Sequence, residues 1–205
     1  VSWMEPDYEF LEILMREWAK ETVHELDFRK EAKNLKEARI ALQQLFQTPK
    51  TLVYTNNSEE KVPFQVEVPK PLDNLCNDQV LVMSFCEGVR IDQLDQLNEW
   101  NLSRAAIVDG VAQAFAHFMY TTTIFNGDPH AGNLLVRKGT AVSSEEGFTI
   151  VVLDWGLAKR LDETKRLAFC ELAYAAATFD YGLLLDSYVH IGLQMKRENA
   201  AMSMQ

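Results

Sequence analysis

The chain has 205 residues, 47% of them hydrophobic and 24% charged, a composition that is typical of a folded globular protein and argues against an intrinsically disordered chain. Its formal net charge of −10 argues against binding to nucleic acid or to an anionic membrane through bulk electrostatics, because both select a basic protein face. The three cysteines are widely spaced in apolar segments, which indicates reduced thiols rather than disulfides or a metal site, and no apolar run reaches the roughly 18 residues of a transmembrane helix.

The first part of the chain predicts a long helical segment followed by strands. Residues 7–46 contain neither Gly nor Pro, and apolar residues recur there at helical spacing, so we expect one long helix or two consecutive helices. A turn-rich stretch over residues 47–60 separates this segment from two predicted strands, residues 64–68 and 79–85. Because the chain begins at Val1, without an initiator Met, we expect it to be an internal piece of a longer protein, and the absence of a targeting peptide carries no information.

The second part of the chain predicts helices around one hairpin. A linker with a short helix comes first, and the hairpin is expected to join two apolar strands through a polar loop. The predicted elements are a linker and short helix over residues 87–97, a helix from Ser103 to about Phe125, strands over residues 133–138 and 148–154, a helix capped by Asp162 and a last helix from Tyr181. This order indicates an α+β fold, with a smaller part over residues 1–87 and a helical part over residues 88–205.

Polar residues interrupt two apolar runs, "FNGDPHAGNLLV" (125–136) and "IVVLDWGLAKRL" (150–161). In a hairpin the start of the first strand and the end of the second strand lie side by side, so Asn133 and Asp154 should converge, with Asp128 nearby. Two carboxylates and an amide supply the hard oxygen ligands that suit Mg²⁺. Kinase-like phosphoryl transfer needs such a set: one Asp for the acceptor, and an Asn and a second Asp that hold metal on the nucleotide phosphates.

Ordinary turns are the competing interpretation of both motifs. Asp-Pro, Gly-Asn and Asp before Gly are common in turns and at strand exits, and either motif alone is more often structural. The two motifs together, in this order and on the two strands of one hairpin, favour the phosphoryl-transfer interpretation.

The same residues carry a resemblance to a known family. "NGDPHAGNLLV" and "LDWGLAKRL" resemble the catalytic loop and the metal-binding Asp-x-Gly segment of protein-kinase-like folds, which aminoglycoside and choline phosphotransferases share. "HELDFRKEAKN" (24–34) is similar to the Glu-x-Asp motif of the UbiB (ADCK-type) atypical kinases, at the start of the helix equivalent to the kinase αC helix. "IFNGDPH" resembles the corresponding motif in a eukaryotic branch of this family, in which some members carry a C-terminal β-lactamase-like domain. The resemblance implies a partial protein-kinase-like two-lobe fold, with residues 1–87 as the partial N-lobe and residues 88–205 as the helical C-lobe.

The resemblance also implies roles for individual residues. Asp128 would be the catalytic-loop Asp, and Asn133 and Asp154 would hold Mg²⁺ on ATP. Glu31 would be the αC glutamate that pairs with a lysine. Residues 83–86 at the hinge would border the adenine, with Met83, Ser84 and Phe85 as the expected contacts.

Glu25 and Asp27 would form the family's Glu-x-Asp pair, which faces the nucleotide site in relatives. With Glu31 they place three acids on barely two helical turns, which is unfavourable unless cations or a metal ion lie opposite. A solvated acidic face beside Arg29, Lys30 and Lys33 is the alternative interpretation.

The sequence departs from the protein-kinase pattern in two ways. The nucleotide-binding loop and the strand lysine of the small lobe are not found, and we expect them before Val1, so that this chain by itself should bind nucleotide weakly and turn over little. Asn126 stands where protein kinases usually have His, and His130 stands where they often have Lys, which argues against ordinary protein phosphorylation.

The function that the resemblance implies is an ATP- and Mg²⁺-dependent atypical kinase or ATPase that supports quinone metabolism, including ubiquinone biosynthesis, or isoprenoid-lipid metabolism. The implied setting is mitochondrial or plastid, with a lipid or quinone-pathway partner and peripheral membrane contact, and without nucleic acid. Two alternatives stay open. One is a pseudokinase or docking module that binds nucleotide without turnover, and the other is an aminoglycoside-type small-molecule phosphotransferase, which has no need of the Glu-x-Asp pair.

Overall fold

The computed structural model describes residue 15 and residues 27–43, 50–53, 61–139 and 147–193. Within these residues, five α-helices, two short 3₁₀ helices (Asp73–Leu75 and Ala131–Asn133) and seven strands have defined bounds. The helices are α1 (Phe28–Gln43), α2 (Leu94–Glu99), α3 (Arg104–Thr121), α4 (Glu163–Thr178) and α5 (Tyr181–Ile191). The strands are β1 (Lys50–Val53), β2 (Lys61–Glu67), β3 (Val89–Arg90), β4 (Ile124–Asn126), β5 (Leu134–Lys138), β6 (Phe148–Val152) and β7 (Ala158–Arg160). Glu25 and most of the predicted first helical segment lie outside the described residues.

The larger sheet is built around the predicted hairpin. Its strand order is β1-β2-β6-β5-β3, with β5 and β6 antiparallel and β2 and β6 parallel. Every residue of β6 is buried, as expected for an apolar strand in the middle of a sheet. Leu134 pairs with Val152, so the start of β5 and the end of β6 meet at one edge, as predicted. This sheet contains β1 and β2 from the proposed N-lobe and β3, β5 and β6 from the proposed C-lobe. The division of the chain into two lobes at residues 87/88 therefore stays a prediction.

The apolar stripes of α1 and α3 form the core against this sheet. Leu35, Ala38 and Leu42 recur at helical spacing on α1, and all three are buried. The buried residues of α3 are Ala106, Ile107, Gly110, Ala114 and Phe118. A Cβ at Gly110 would lie 3.0 Å from Cδ1 of Ile150, so α3 packs closely onto β6.

Polar side chains begin two helices as predicted. Oγ of Ser103 accepts from the N–H of Ala106 at 3.5 Å, and Oδ1 of Asp162 accepts from the N–H of Lys165 at 2.8 Å. Both residues are N-caps that bond an amide of the first helical turn, which has no partner within the helix.

The predicted end of α3 at about Phe125 is wrong, because the helix ends at Thr121 and β4 follows. The hydroxyl of Thr122 donates to the backbone oxygen of Phe118 at 2.8 Å. Such a side-chain bond competes with helix continuation, and β4 then pairs antiparallel with β7 in a separate two-stranded sheet.

The predicted strand over residues 79–85 is also wrong. This stretch begins in a bend at Gln79 and forms one isolated bridge, between Met83 and Pro71, without a ladder among the described residues. Its neighbour contains Pro69 and Pro71, and a proline has no backbone N–H to donate to a strand partner.

Helices α4 and α5 form the last pair of elements, and α5 begins at Tyr181 as predicted. Nδ1 of His190 on α5 lies 3.0 Å from Oε2 of Glu171 on α4, which links the two helices. Among the described helices, none combines the length and the apolarity that crossing a bilayer requires.

Candidate functional site

Asp154 lies just after the buried strand β6, at the sheet edge where β5 begins. The N–H of Leu153 donates to the backbone oxygen of Asn133 at 2.9 Å, which places Asn133 beside the start of the Asp154 segment. Oδ1 of Asp154 accepts from the N–H of Gly156 at 2.8 Å, so the turn itself fixes one carboxylate oxygen. The side chain is exposed, and its Oδ2 has no hydrogen-bond partner within the described residues.

Side chains from α1 and β4 hold the backbone around Asp154. Nδ2 of Asn126 donates to the backbone oxygen of Asp154 at 2.5 Å, and the N–H of Trp155 donates to Oε1 of Glu31 at 3.3 Å. The peptide that joins Asp154 to Trp155 is therefore bonded at both its oxygen and its nitrogen. Nδ2 of Asn34 donates to the backbone oxygen of Trp155 at 2.8 Å. Three consecutive backbone groups are thus held by side chains from other elements.

Trp155 anchors this segment in the core. Its side chain is fully buried, and its Nε1–H donates to the backbone oxygen of Val152 at 3.2 Å. Its ring meets that of Phe118 edge-on, with 5.0 Å between the ring centroids. The residue after Asp154 consequently has a packing role, and it limits how far the segment can move.

Asp128 lies in a loop that is shaped by short-range hydrogen bonds. Its N–H donates to Oδ1 of Asn126 at 2.8 Å, and its backbone oxygen accepts from the N–H of His130 at 2.9 Å. Nδ1 of His130 accepts from the N–H of Gly132 at 3.1 Å, so this imidazole orders the loop. Nε2 of His130 lies 3.8 Å from Oδ2 of Asp128, whose side chain is 47% exposed. The carboxylate is therefore accessible to an acceptor molecule or to water.

Gly127 joins the Asp128 loop to the chain beyond Trp155. Its N–H donates to the backbone oxygen of Leu157 at 3.2 Å. A Cβ at this position would lie 2.7 Å from the same oxygen, closer than a carbon atom can approach, so only glycine fits here without displacement. Since Asn126 also bonds both Asp128 and Asp154, the two acidic segments share one junction.

Asn133 and Asp154, whose chain segments meet at Leu153, carry side-chain oxygens of the type that Mg²⁺ prefers. Nδ2 of Asn133 is buried and has no hydrogen-bond partner among the described residues, so no bond at that nitrogen opposes rotation of the amide to present its oxygen instead. Mg²⁺ is bound through one or two protein oxygens, with phosphate and water as its other ligands. The described residues contain no cluster of three or more His, Cys, Asp or Glu, so an ion held here depends on those other ligands.

A cleft of about 490 Å³ opens beside Asp154. Its walls are formed by Phe28, Glu31, Gln79, Val80, Leu81, Met83, Leu153 and Asp154. A Cβ at Gly156 would lie 3.3 Å from Oδ1 of Asp154 and 3.9 Å from Oε2 of Glu31, so the two carboxylates flank that glycine. Apolar walls beside oxygen ligands suit a nucleotide base with metal-bound phosphates.

The predicted hinge residues differ in their relation to this cleft. Met83 lies on its wall, whereas Ser84 and Phe85 are not among the wall residues. Ser84 is bonded to Lys70, whose N–H donates to its Oγ at 2.9 Å, and the side chain of Phe85 is 89% exposed. The predicted contacts of these three residues with adenine stay predictions.

Asp27 caps the start of α1. Its Oδ1 accepts from the N–H and from Nε–H of Arg29, at 3.1 and 2.8 Å, and its Oδ2 accepts from Nη2 at 2.9 Å. This bonding to Arg29 holds the pKa of Asp27 below its ordinary value. Phe28, the next residue, lines the cleft, but Glu25 lies outside the described residues. The expected orientation of the Glu25 and Asp27 pair toward nucleotide stays a prediction.

Asn34 and Arg160 lie close to the Asp154 segment, although the sequence predicts no role for either. Asn34 is only 6% exposed, and its Oδ1 accepts from Nη2 of Arg160 at 2.8 Å. Arg160 also donates to Oε2 of Glu37 from Nε at 3.0 Å and from Nη2 at 2.7 Å. A polar residue on the buried face of α1, three positions after Glu31 and next to Leu35, is the sequence signal that identifies Asn34 as a residue with a specific partner.

The three cysteines are free, as predicted. Burial and, secondarily, the charge of Glu67 raise the pKa of Cys86 to about 11. Its thiol is therefore protonated near neutral pH and is not a nucleophile of the candidate site.

Comparison with known proteins identifies similar kinase-like domains. A model of the ABC1 atypical kinase-like domain matches residues 1–187 of the chain. The Dictyostelium discoideum protein named "Probable serine/threonine-protein kinase abkB" is 34% identical over 148 residues, which cover 72% of this chain and 19% of that protein. "AarF domain-containing kinase 1" of Drosophila melanogaster is 30% identical over 107 residues, which cover 52% of this chain and 20% of that protein. The chain thus spans about a fifth of the length of these two relatives.

A solved structure is also similar. It is a Mycobacterium tuberculosis protein in complex with erythromycin, with a TM-score of 0.49 and 16% sequence identity. The similarity covers 90% of this chain and 41% of that protein.

Proposed function

The chain belongs to the ABC1 atypical kinase-like family, and from this premise we propose that it binds ATP with Mg²⁺ through Asn133 and Asp154 and that Asp128 acts on the phosphoryl acceptor. The family is the one that the Glu-x-Asp and Asp-x-Gly motifs indicated, and the α+β fold is a partial protein-kinase-like fold. The nucleotide, the metal ion and the reaction are the proposed part.

The cleft is the observation that supports nucleotide binding best. Its wall carries Asp154 and Glu31 together with Met83 of the predicted hinge, although these residues are far apart in the sequence. Its other wall residues are mainly apolar, which suits the flat face of a purine. The backbone of Asn133 bonds Leu153, and its Nδ2 has no partner among the described residues, which supports its amide as a source of a second oxygen ligand.

Asp128 is suited to a different task from Asp154. Its half-exposed carboxylate has only the 3.8 Å contact with His130 among the described residues, so one oxygen is available to accept a proton from an acceptor hydroxyl or from water. Mg²⁺, when bound, would neutralise charge on the nucleotide phosphates. Asn126 ties both acidic segments to one junction, which supports joint action of the two carboxylates on one substrate.

Thermal unfolding of the full-length protein tests the proposal, with ATP and ADP, each with and without Mg²⁺. A ligand at 100 times its Kd stabilises the folded state by about 2.7 kcal/mol, so we expect a shift in Tm of several degrees that requires Mg²⁺. Asp154→Ala should remove the Mg²⁺-dependent shift. Asp109→Ala is the matched control, because that carboxylate bonds Gln113 on the exposed side of α3, and it should retain the shift. No nucleotide response in folded wild-type protein would contradict the proposal.

We propose the wider role from the family resemblance alone. It is support of quinone or isoprenoid-lipid metabolism at a mitochondrial or plastid membrane, with a lipid or quinone-pathway partner. Quinone content in cells that lack the protein, complemented with wild type or with Asp154→Ala, tests this role. Normal quinone content in the deletion strain would contradict it.

A further inference from the structure

The contacts of the Trp155 carbonyl assign a role to a residue outside the cleft. We infer that Asn34 is a positioning residue for Asp154, an inference that rests on the proposed function. Its amide holds the backbone that carries the metal-binding carboxylate, and Arg160 fixes the direction of that amide.

The chemistry of the two partners fixes how Asn34 is oriented. A guanidinium group only donates hydrogen bonds, so the group of Arg160 requires Oδ1 of Asn34 to face it, at 2.8 Å. Nδ2 must then face the other way, where it donates to the backbone oxygen of Trp155 at 2.8 Å. Arg160 is itself held by Glu37, which lies three positions after Asn34 on α1. The amide therefore has one orientation that satisfies both of its ends.

Burial makes this bond difficult to replace. Asn34 is 6% exposed and the Trp155 side chain is fully buried, so water has little access to either group. If this bond broke, Nδ2 of Asn34 would lose its partner, and the Trp155 oxygen would keep only the longer bond from the N–H of Ala158, at 3.3 Å. The Trp155 carbonyl cannot rotate without losing the bond to Asn34, and the N–H of the same residue is held separately by Glu31.

Asn34 influences Asp154 through the one peptide that joins Asp154 to Trp155. The oxygen of that peptide is bonded to Asn126, its nitrogen is bonded to Glu31, and the next carbonyl is bonded to Asn34. Glu31 lines the cleft, whereas Asn34 is not among the wall residues, so Asn34 acts through the backbone and not by contact with a ligand. Its removal should alter the direction of the Asp154 carboxylate while the carboxylate itself remains.

Backbone amide hydrogen exchange, measured without ligand, tests whether Asn34 restrains the backbone of residues 154–156. Asn34→Asp keeps an acceptor for Arg160 but turns a carboxylate oxygen toward the Trp155 carbonyl. Asn98→Asp is the matched control, because Oδ1 of Asn98 also accepts from an arginine, Nη2 of Arg104 at 3.1 Å, on the surface. We expect exchange in residues 154–156 to accelerate by about tenfold or more in Asn34→Asp only, with no change in β5 and β6. Unchanged exchange in residues 154–156 would overturn the inference.

The Mg²⁺ dependence of nucleotide stabilisation tests the consequence for the site. The Mg²⁺ concentration at half-maximal shift should rise by about tenfold in Asn34→Asp and by less in Arg160→Gln, and it should not change in Asn98→Asp. A lower Tm with an unchanged Mg²⁺ midpoint would reduce Asn34 to a structural contact and overturn the inference. If Asn34→Asp does not fold, Arg160→Gln decides, since that arginine is on the surface. A wild-type protein without any Mg²⁺-nucleotide response would instead overturn the proposed function, and the inference with it.

Discussion

The two acidic segments of the candidate site are held in different ways. The backbone around Asp154 is bonded by side chains from α1 and β4, so its direction depends on elements distant in sequence. The loop at Asp128 is shaped mainly by hydrogen bonds between residues two positions apart. A carboxylate that is to hold a metal ion requires a fixed direction, whereas a carboxylate that is to meet an acceptor requires a stable turn and access to solvent.

The largest expected effect separates the tasks of the two carboxylates. Asp128→Asn should lower turnover in the full-length protein by between about 100-fold and 10,000-fold, because the amide cannot accept the acceptor proton. Nucleotide stabilisation should persist, since the Asp154 segment does not depend on the Asp128 side chain. Unchanged turnover in single-turnover kinetics would remove the catalytic role of Asp128. If wild type binds nucleotide but does not turn over, the protein is a pseudokinase.

Asn126→Ala breaks the junction that the two segments share. It leaves the backbone oxygen of Asp154 and the N–H of Asp128 without their side-chain partners, and Asn126 is only 5% exposed. Asp154 is exposed and Asp128 is half-exposed, so water replaces part of the lost bonding, and we expect the free energy of unfolding to fall by about 1–3 kcal/mol. Urea denaturation measures this loss. Asn98→Ala is the control on the surface, and an equal loss in both variants would argue against a special junction.

Gly127→Ala tests the close approach between the loop and the chain after Trp155. The new Cβ would lie 2.7 Å from the backbone oxygen of Leu157, so we expect a destabilisation of about 1–3 kcal/mol. Gly182→Ala is the matched control in α5, where the nearest atom to a new Cβ is 3.4 Å away. There alanine should stabilise by up to about 1 kcal/mol, because it restricts the unfolded chain and favours the helix. Thermal unfolding of both variants measures the contrast, and effects of the same sign would contradict it.

The smallest expected effect concerns the contact between Asp27 and Arg29, which are only two positions apart in the sequence. Arg29→Gln should raise the pKa of Asp27 toward its ordinary value, as followed by carbon NMR of its carboxyl group. Because the pKa of Asp27 is lowered on folding, its contribution to stability is complete above the ordinary carboxylate pKa of about 4. That contribution is lost as the pH falls through the lowered value. An unshifted pKa in Arg29→Gln would show that another group is responsible.

The elements that local sequence determines were the ones that could be predicted. The caps at Ser103 and Asp162 need only three or four residues, and the β5–β6 hairpin follows from two apolar runs around a polar loop. The convergence of Asn133 with the start of the Asp154 segment follows from hairpin geometry alone.

The parts that failed or were missed depend on partners. The predicted strand over residues 79–85 has suitable residues, but prolines in its neighbour prevent a ladder. Asn34 and the Trp155 carbonyl are 121 positions apart, so the pattern around Asn34 indicates a buried polar residue but not its partner. That partner can be predicted only if the packing of α1 beside the Asp154 segment is known. The hydrophobic periodicity of a single sequence carries no information about this packing.

The parallel pairing of β2 with β6 has a consequence for the order of folding. Phe64 pairs with Phe148, and all of α3 and the Asp128 loop lie between them in the chain. A ribosome releases β2 long before its partner exists, and long-range parallel pairs form late because the intervening loop must first lose entropy. The cleft takes its walls from α1, from residues 79–83 and from Leu153 and Asp154, so it is complete only when chain on both sides of that pairing has folded. A nucleotide that requires this cleft would therefore bind only to chains in which folding is complete.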